Sequence, residues 1–227
     1  MSSKVIHDLV DFDVRSAMFK TAIRFVNYEL VPGDIMEFGT YTGRSLALLA
    51  YAEAEFRKSI HKMPFERRVI AFDSFEGLAE NEHPRWYTGI FKVNHSYHPV
   101  MAKGERVTAQ GVTDLFRACE LDEPFIEEGF YGQKLREVIG SKYTQAAVVH
   151  IDCDLFDSTT IVLDALHDIF QDGTVVLFDD WHNFKGDPQK GEQGAFRAYI
   201  DRQDRWNFIE YQKYATFGNS FIVSPKS

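Results

Sequence analysis

The spacing of apolar positions changes several times along the chain. Between residues 14 and 30 (VRSAMFKTAIRFVNYEL), Ala17, Met18, Ala22, Phe25 and Val26 fall on one helical face, which predicts an amphipathic helix. Pro32 and Gly33 end it, and Asp34-Ile35-Met36-Glu37-Phe38 reads as a short buried strand. Residues 40–43 form a tight loop, and residues 44–57 return to helical spacing. A second strand over 69–72 ends at Asp73. A helix is expected at 112–119, a strand at 124–128 ending at Gly129, and a short helix at 133–139. Residues 146–151 (AAVVHI) are nearly all apolar, as a parallel strand buried on both faces requires, and they end at Asp152. A helix over 158–170, a strand over 174–178 ending at Asp179-Asp180, and a helix over 191–202 follow. Two last strands lie near Phe208 and at 220–223.

Strands alternating with helices predict an α/β fold with a doubly wound, mostly parallel seven-stranded sheet. Ligands of such sheets bind outside the carboxyl ends of the strands, near the switch in strand order. Glu37, Asp73, Gly129, Asp152, Asp179 and Asp180 all fall at or next to those ends. Acids scattered by chance would not gather on one rim, and this coincidence is the strongest functional signal in the chain.

Residues 78–105 break the rhythm. They carry Trp86, Tyr87, Phe91, His95, Tyr97 and His98 between Pro84 and Pro99. A long aromatic insertion on a ligand rim is expected to be a lid or substrate pocket; the alternative is a surface loop with a small core of its own. The expected organisation is one domain over 1–227, with residues 1–33 as an N-terminal helical lid and 79–110 as an inserted aromatic lid over the acceptor.

Composition narrows the reading. A length of 227 residues suits one large α/β domain, and 44% hydrophobic residues suffice for a substantial core. A net charge of -9 argues against nucleic acid as a partner, which would need clustered Lys and Arg. The two cysteines, Cys119 and Cys153, are too few for a disulfide scaffold, so a reducing cytoplasmic setting is expected. The first residues, MSSKVIHDLVDFDVR, carry acids where a signal peptide needs an apolar stretch, and no membrane span is expected.

The candidate chemistry lies in three motifs. Glu37-Phe38-Gly39-Thr40-Tyr41-Thr42-Gly43 joins a strand to a helix, but Tyr41 stands where a dinucleotide fingerprint needs its second glycine, which disfavours a pyrophosphate cradle. Asp73, at the end of the second strand, suits ribose hydroxyls or, equally, a cap on the Ser74-Phe75-Glu76 turn. The third set is Asp152-Cys153-Asp154 with Asp179-Asp180. Carboxylates converging there without a cation would repel one another and take up protons. Oxygen-only ligands select a hard ion, Mg2+ before Ca2+ or Mn2+. Cys153 and His150 read as core residues, and Lys185 and Lys190 as members of a solvated loop.

Taken in order, IMEFGTYTG, FDSFEGL, EEGFYG, HIDCDLFDST and VLFDDW resemble the metal-dependent O-methyltransferases of the macrocin and mycinamicin type, which act on antibiotic sugars. The likeness runs from about Asp11 to Val223. It implies a Rossmann-like class I methyltransferase fold, S-adenosylmethionine and Mg2+ as cofactors, and a small-molecule hydroxyl acceptor, a sugar or a phenol. It also implies Asp152, Asp179 and Asp180 as metal ligands and Asp154 as general base. Around the cofactor it implies Glu37 at the methionine end, with Gly39, Ser45, Asp73, Ser74 and Gly129. Tyr41, Gly43, Phe130 and Asp152 complete the candidate cofactor set. Related catechol methyltransferases keep a lysine three residues after the first metal aspartate; Leu155 stands here, which favours Asp154 as the base. Such relatives form dimers or larger homo-oligomers.

The expected chemistry is cation-assisted acidification of the hydroxyl, proton removal by Asp154, and in-line attack on the sulfonium methyl. His182, two residues after Asp180, is the alternative base. Two rival functions remain at this point. A metal-dependent phosphoester hydrolase would need a basic phosphate clamp on a rim that reads as acidic. A non-catalytic binding module would be expected to lack some of the metal acids, and all are present.

Overall fold

The computed structural model describes residues 3–59, 63–81 and 83–227. Five strands run parallel: β1 (Asp34–Phe38), β2 (Val69–Asp73), β3 (Phe125–Glu128), β4 (Ala146–Ile151) and β5 (Val175–Phe178). β6 (Trp206–Tyr214) and β7 (Gly218–Pro225) form an antiparallel hairpin, with β7 also antiparallel to β5. The order β3-β2-β1-β4-β5-β7-β6 gives the expected seven-stranded, mostly parallel sheet. From β1 the chain winds outward to β2 and β3; from β4 it winds the other way. The loops leaving β1 and β4 therefore diverge and open a crevice at the switch. The register sets Glu37 beside His150 and Phe38 beside Ile151.

Period-2 alternation divides the core. Ile35, Ala71, Val148, Val175 and Leu177 pack on one face, against α1 (Lys4–Phe12), α2 (Ser16–Tyr28), α3 (Arg44–Ser59) and α4 (Ala109–Ala118). Met36, Phe38, Ile70, Phe72, Val149, Ile151 and Phe178 pack on the other, against α5 (Gln133–Lys142), α6 (Phe156–Leu166) and α7 (Gly191–Arg202). β1, β4 and β5 are buried throughout, and β4 and β5 accordingly read as largely apolar runs. Among the described residues no helix is long and apolar enough to cross a membrane.

Two elements depart from the sequence expectation. The helix expected over 14–30 is α2, and a further helix, α1, precedes it; the two are set apart where the Asp13 carboxylate accepts the Arg15 backbone N–H at 3.0 Å. That local bond competes with helical pairing and breaks the chain between α1 and α2. α4 begins at Ala109 because the Thr108 hydroxyl accepts the Gly111 N–H and caps it.

Between Ser74 and Thr108 the described residues contain no helix or strand, only an isolated bridge between Val93 and Arg106. Backbone bonds from Leu78 to Ile90 and from Asn94 to Glu105 fold this segment back on itself. The Tyr41 hydroxyl donates to the Val93 carbonyl and accepts the His95 N–H, both at 2.8 Å, fastening the segment to the loop after β1.

Candidate active site

The loop after β1 turns sharply at Gly39, whose φ of +87° lies in the left-handed region. A Cβ there would sit 1.8 Å from the Asp152 carbonyl oxygen, so this contact between the β1 and β4 loops admits only glycine. Gly43 packs instead against Val112 of α4. Asp73 accepts the backbone N–H groups of Tyr41 and Phe75, each at 2.7 Å. It thus caps the following turn, as one sequence reading had it, and also faces the crevice.

The crevice holds a cavity of about 360 Å³. Of the candidate cofactor residues, Gly39, Tyr41, Ser45, Asp73, Ser74, Gly129, Phe130 and Asp152 line it. Glu37 and Gly43 do not. Glu37 is fully buried, and the His150 ring nitrogen Nδ1 lies 2.8 Å from its Oε1. Asp154 and Asp180 also face the cavity, as do Leu78, Trp86 and Phe91 of the insertion and Arg15 of the N-terminal segment.

The strand-end acids form two overlapping groups that share Asp152. Ligand atoms of Asp152, Asp154 and Asp180 lie within 4.8 Å of one another, as do those of His150, Asp152 and Asp179. The expected trio of Asp152, Asp179 and Asp180 is thus divided between two neighbouring clusters. Asp154 is 5% exposed, with a left-handed φ of 56°. Asn183 donates to Asp180 Oδ1 at 2.6 Å and reaches Asp154 Oδ1 at 3.5 Å.

Partners, more than burial, separate these acids. Burial and the charges of their neighbours push Asp152 and Asp180 well above the usual carboxylate range. Burial and Asp152 push Asp154 up to about 8. Burial acts on Asp179 as well, yet its carboxyl is held below the ordinary value by Arg15 and His150. His150 moves up to about 10, because Asp179 and Glu37 on either side outweigh its burial. Its Nε2 stands 3.6 Å from Asp179 Oδ1, an ion-pair separation.

His182 is not brought to this cavity; it lines a second one with Trp181, Gln193 and Lys213. Cys153 is buried in the core, as expected. Lys185 and Lys190 are exposed, and Lys190 pairs with Asp187 at 3.3 Å. His150 is buried as predicted, but within an ion network rather than among apolar groups alone.

Two residues escaped the sequence reading. Glu192, fully buried, accepts the Cys153 N–H at 3.0 Å and the Asp180 N–H at 2.9 Å, bridging the loops after β4 and β5. Its position in the polar run KGDPQKGEQ gave no sign of burial. Arg15 donates to Asp179 Oδ2 at 2.9 Å from a segment read only as a helix face. A bond across 164 residues leaves no mark in local spacing.

The macrocin O-methyltransferase (TylF) family model matches residues 12–199. No curated protein sequence matches significantly. Among solved structures, the O-methyltransferase NovP is 20% identical, covering 92% of this chain and 78% of its own, with a TM-score of 0.65. The calicheamicin methyltransferase CalS11 is 22% identical, covering 95% and 79%, with a TM-score of 0.64. A Bacillus cereus O-methyltransferase in complex with SAH is 17% identical, covering 96% and 90%, with a TM-score of 0.58. These three share the fold, while the family match spans the first loop, the insertion and every strand-end acid. The chain belongs to the macrocin O-methyltransferase (TylF) family of S-adenosylmethionine-dependent O-methyltransferases.

Proposed function

We propose that this methyltransferase uses a divalent cation, Mg2+, to methylate a hydroxyl of a small natural product, a sugar or a phenol. The observation that carries the reading is the group of Asp152, Asp154 and Asp180, whose ligand atoms converge within 4.8 Å while burial and mutual repulsion oppose their ionisation. Such a group takes up either protons or a cation, and an all-oxygen donor set suits a hard divalent ion. Asp152 and Asp180 of that group would hold it, with Asp179, which meets Asp152 in the neighbouring group, as the third acid. The crevice suits the cofactor as well: Gly39 keeps the floor open, and the partly buried Asp73 carboxylate would meet the ribose hydroxyls.

When bound, the cofactor supplies an electrophilic methyl and the cation a field that acidifies the acceptor hydroxyl. The chain's own residues supply the rest. Asp154 faces the cavity beside Asp152 and Asp180 and accepts the hydroxyl proton. Glu192 fixes the loops that carry Asp154 and Asp180. Trp86, Phe91 and Phe130 wall the cavity with aromatic faces that suit a sugar ring or a phenol and exclude water. CalS11, a TDP-rhamnose 3'-O-methyltransferase, favours the sugar.

Family membership answers both rival readings, the phosphoester hydrolase and the non-catalytic module. The test is transfer of labelled methyl to a panel of glycosides and catechols, before and after EDTA and with Mg2+ restored. Loss with EDTA and recovery with Mg2+ are expected; activity indifferent to EDTA would remove the cation from the proposal.

A further inference from the structure

Among the described residues, Arg15 is the only arginine or lysine within ion-pair distance of Asp152, Asp154, Asp179 or Asp180. It comes from the break between α1 and α2, remote in sequence from every acid it meets there. Its Nη1 lies 2.9 Å from Asp179 Oδ2 and 3.4 Å from Asp152 Oδ2, so one nitrogen ties the ends of β4 and β5 together. The other side of the fork is clamped by Asp13, with Nε 2.9 Å from Oδ1 and Nη2 2.8 Å from Oδ2. The Arg15 side chain is 15% exposed. A guanidinium held at three nitrogens on a turn is a fixed charge, unlike a solvated surface arginine.

We propose that Arg15 is a positioning residue, a tethered counter-cation that fixes Asp152 and Asp179 before a divalent ion enters and yields to that ion when it binds. The inference rests on the cation reading above. Two positive centres seeking the same carboxylate oxygens weaken one another's hold. By thermodynamic reciprocity, whatever Arg15 takes from the ion's affinity, the ion takes from the docking of the N-terminal segment. Cation occupancy and the packing of residues 13–28 are thereby linked through a single side chain.

The experiment uses the full chain and Mn2+ as the probe. Its affinity is read by electron paramagnetic resonance in the wild type, Arg15→Met and Arg15→Lys. Arg15→Met is expected to bind Mn2+ about ten-fold more tightly, whereas Arg15→Lys, which keeps the charge, stays near wild type. Hydrogen exchange over residues 13–28 of the wild type is measured with and without saturating Mn2+, and faster exchange with the ion is expected. Unchanged or weaker binding by Arg15→Met, or slower exchange with Mn2+, overturns the proposal alone. Absence of Mn2+ binding in every protein overturns the cation reading and this proposal with it. If Arg15→Met fails to fold, the wild-type exchange result decides by itself.

Discussion

Asp152 separates two regions made of nearly the same residue types. On one side, Asp179 has Arg15 and His150 as cationic partners, and its carboxyl is held ionised although it is largely withdrawn from water. On the other, Asp154 and Asp180 face Asp152 and each other with Asn183 between them, and both are driven towards the protonated form. Loss of water opposes ionisation on both sides. The difference lies in whether a positive group has been provided, and it marks the Asp154–Asp180 side as the one with charge still to be balanced.

The largest effect is expected where the two sides meet. Asp152→Asn should lower divalent-ion affinity and turnover by at least about a hundred-fold, measured by Mn2+ titration and methyl-transfer rates. Retained affinity would mean the two groups do not share a ligand.

Asp154→Asn should cost about 10²–10⁴ in rate while leaving cofactor binding intact. Its effect on stability has the opposite sign. A carboxyl at about 8 in the folded state against 3.8 unfolded opposes folding increasingly as pH rises between those values. The metal-free variant should therefore be more stable than wild type at pH 8, by roughly 2 kcal/mol, with the gap closing towards pH 4. Thermal melts in EDTA across that range check it; equal melting temperatures throughout would contradict an unbalanced Asp154.

Glu192→Gln should weaken divalent-ion binding by about ten-fold, because an amide cannot accept both the Cys153 and Asp180 N–H groups. The smallest effect is expected on the balanced side. His150, raised from 6.5 to about 10, stabilises the fold fully below pH 6.5, and this contribution is lost as pH rises through 10. His150→Gln should cost on the order of 1–2 kcal/mol at pH 6 and progressively less towards pH 10, by denaturant titration.

The sequence disclosed most of the fold because the sheet's central strands are buried on both faces and cannot disguise their composition. β4 and β5 appeared as largely apolar runs, and the acids closing them marked the site. α1 was not read as a separate helix, and the turn between it and α2 is made by a side-chain bond of Asp13 that apolar spacing does not register. Glu192 and Arg15 were hidden for a related reason. Each is polar in a polar neighbourhood and meets a partner far along the chain, Cys153 for Glu192 and Asp179 for Arg15. Spacing also could not tell which nitrogen or oxygen His150 and Glu37 would face, so a register-paired acid and imidazole read as a ligand group and a core residue.

The contact between Gly39 and the Asp152 carbonyl makes the loop after β1 and the acid cluster mechanically one piece. With no room for even a methyl between them, neither loop can be reshaped without dragging the other. Changes to the shape of the cavity therefore have their freedom elsewhere, in the aromatic insertion whose Trp86 and Phe91 line it. Libraries confined to that segment would leave this contact untouched.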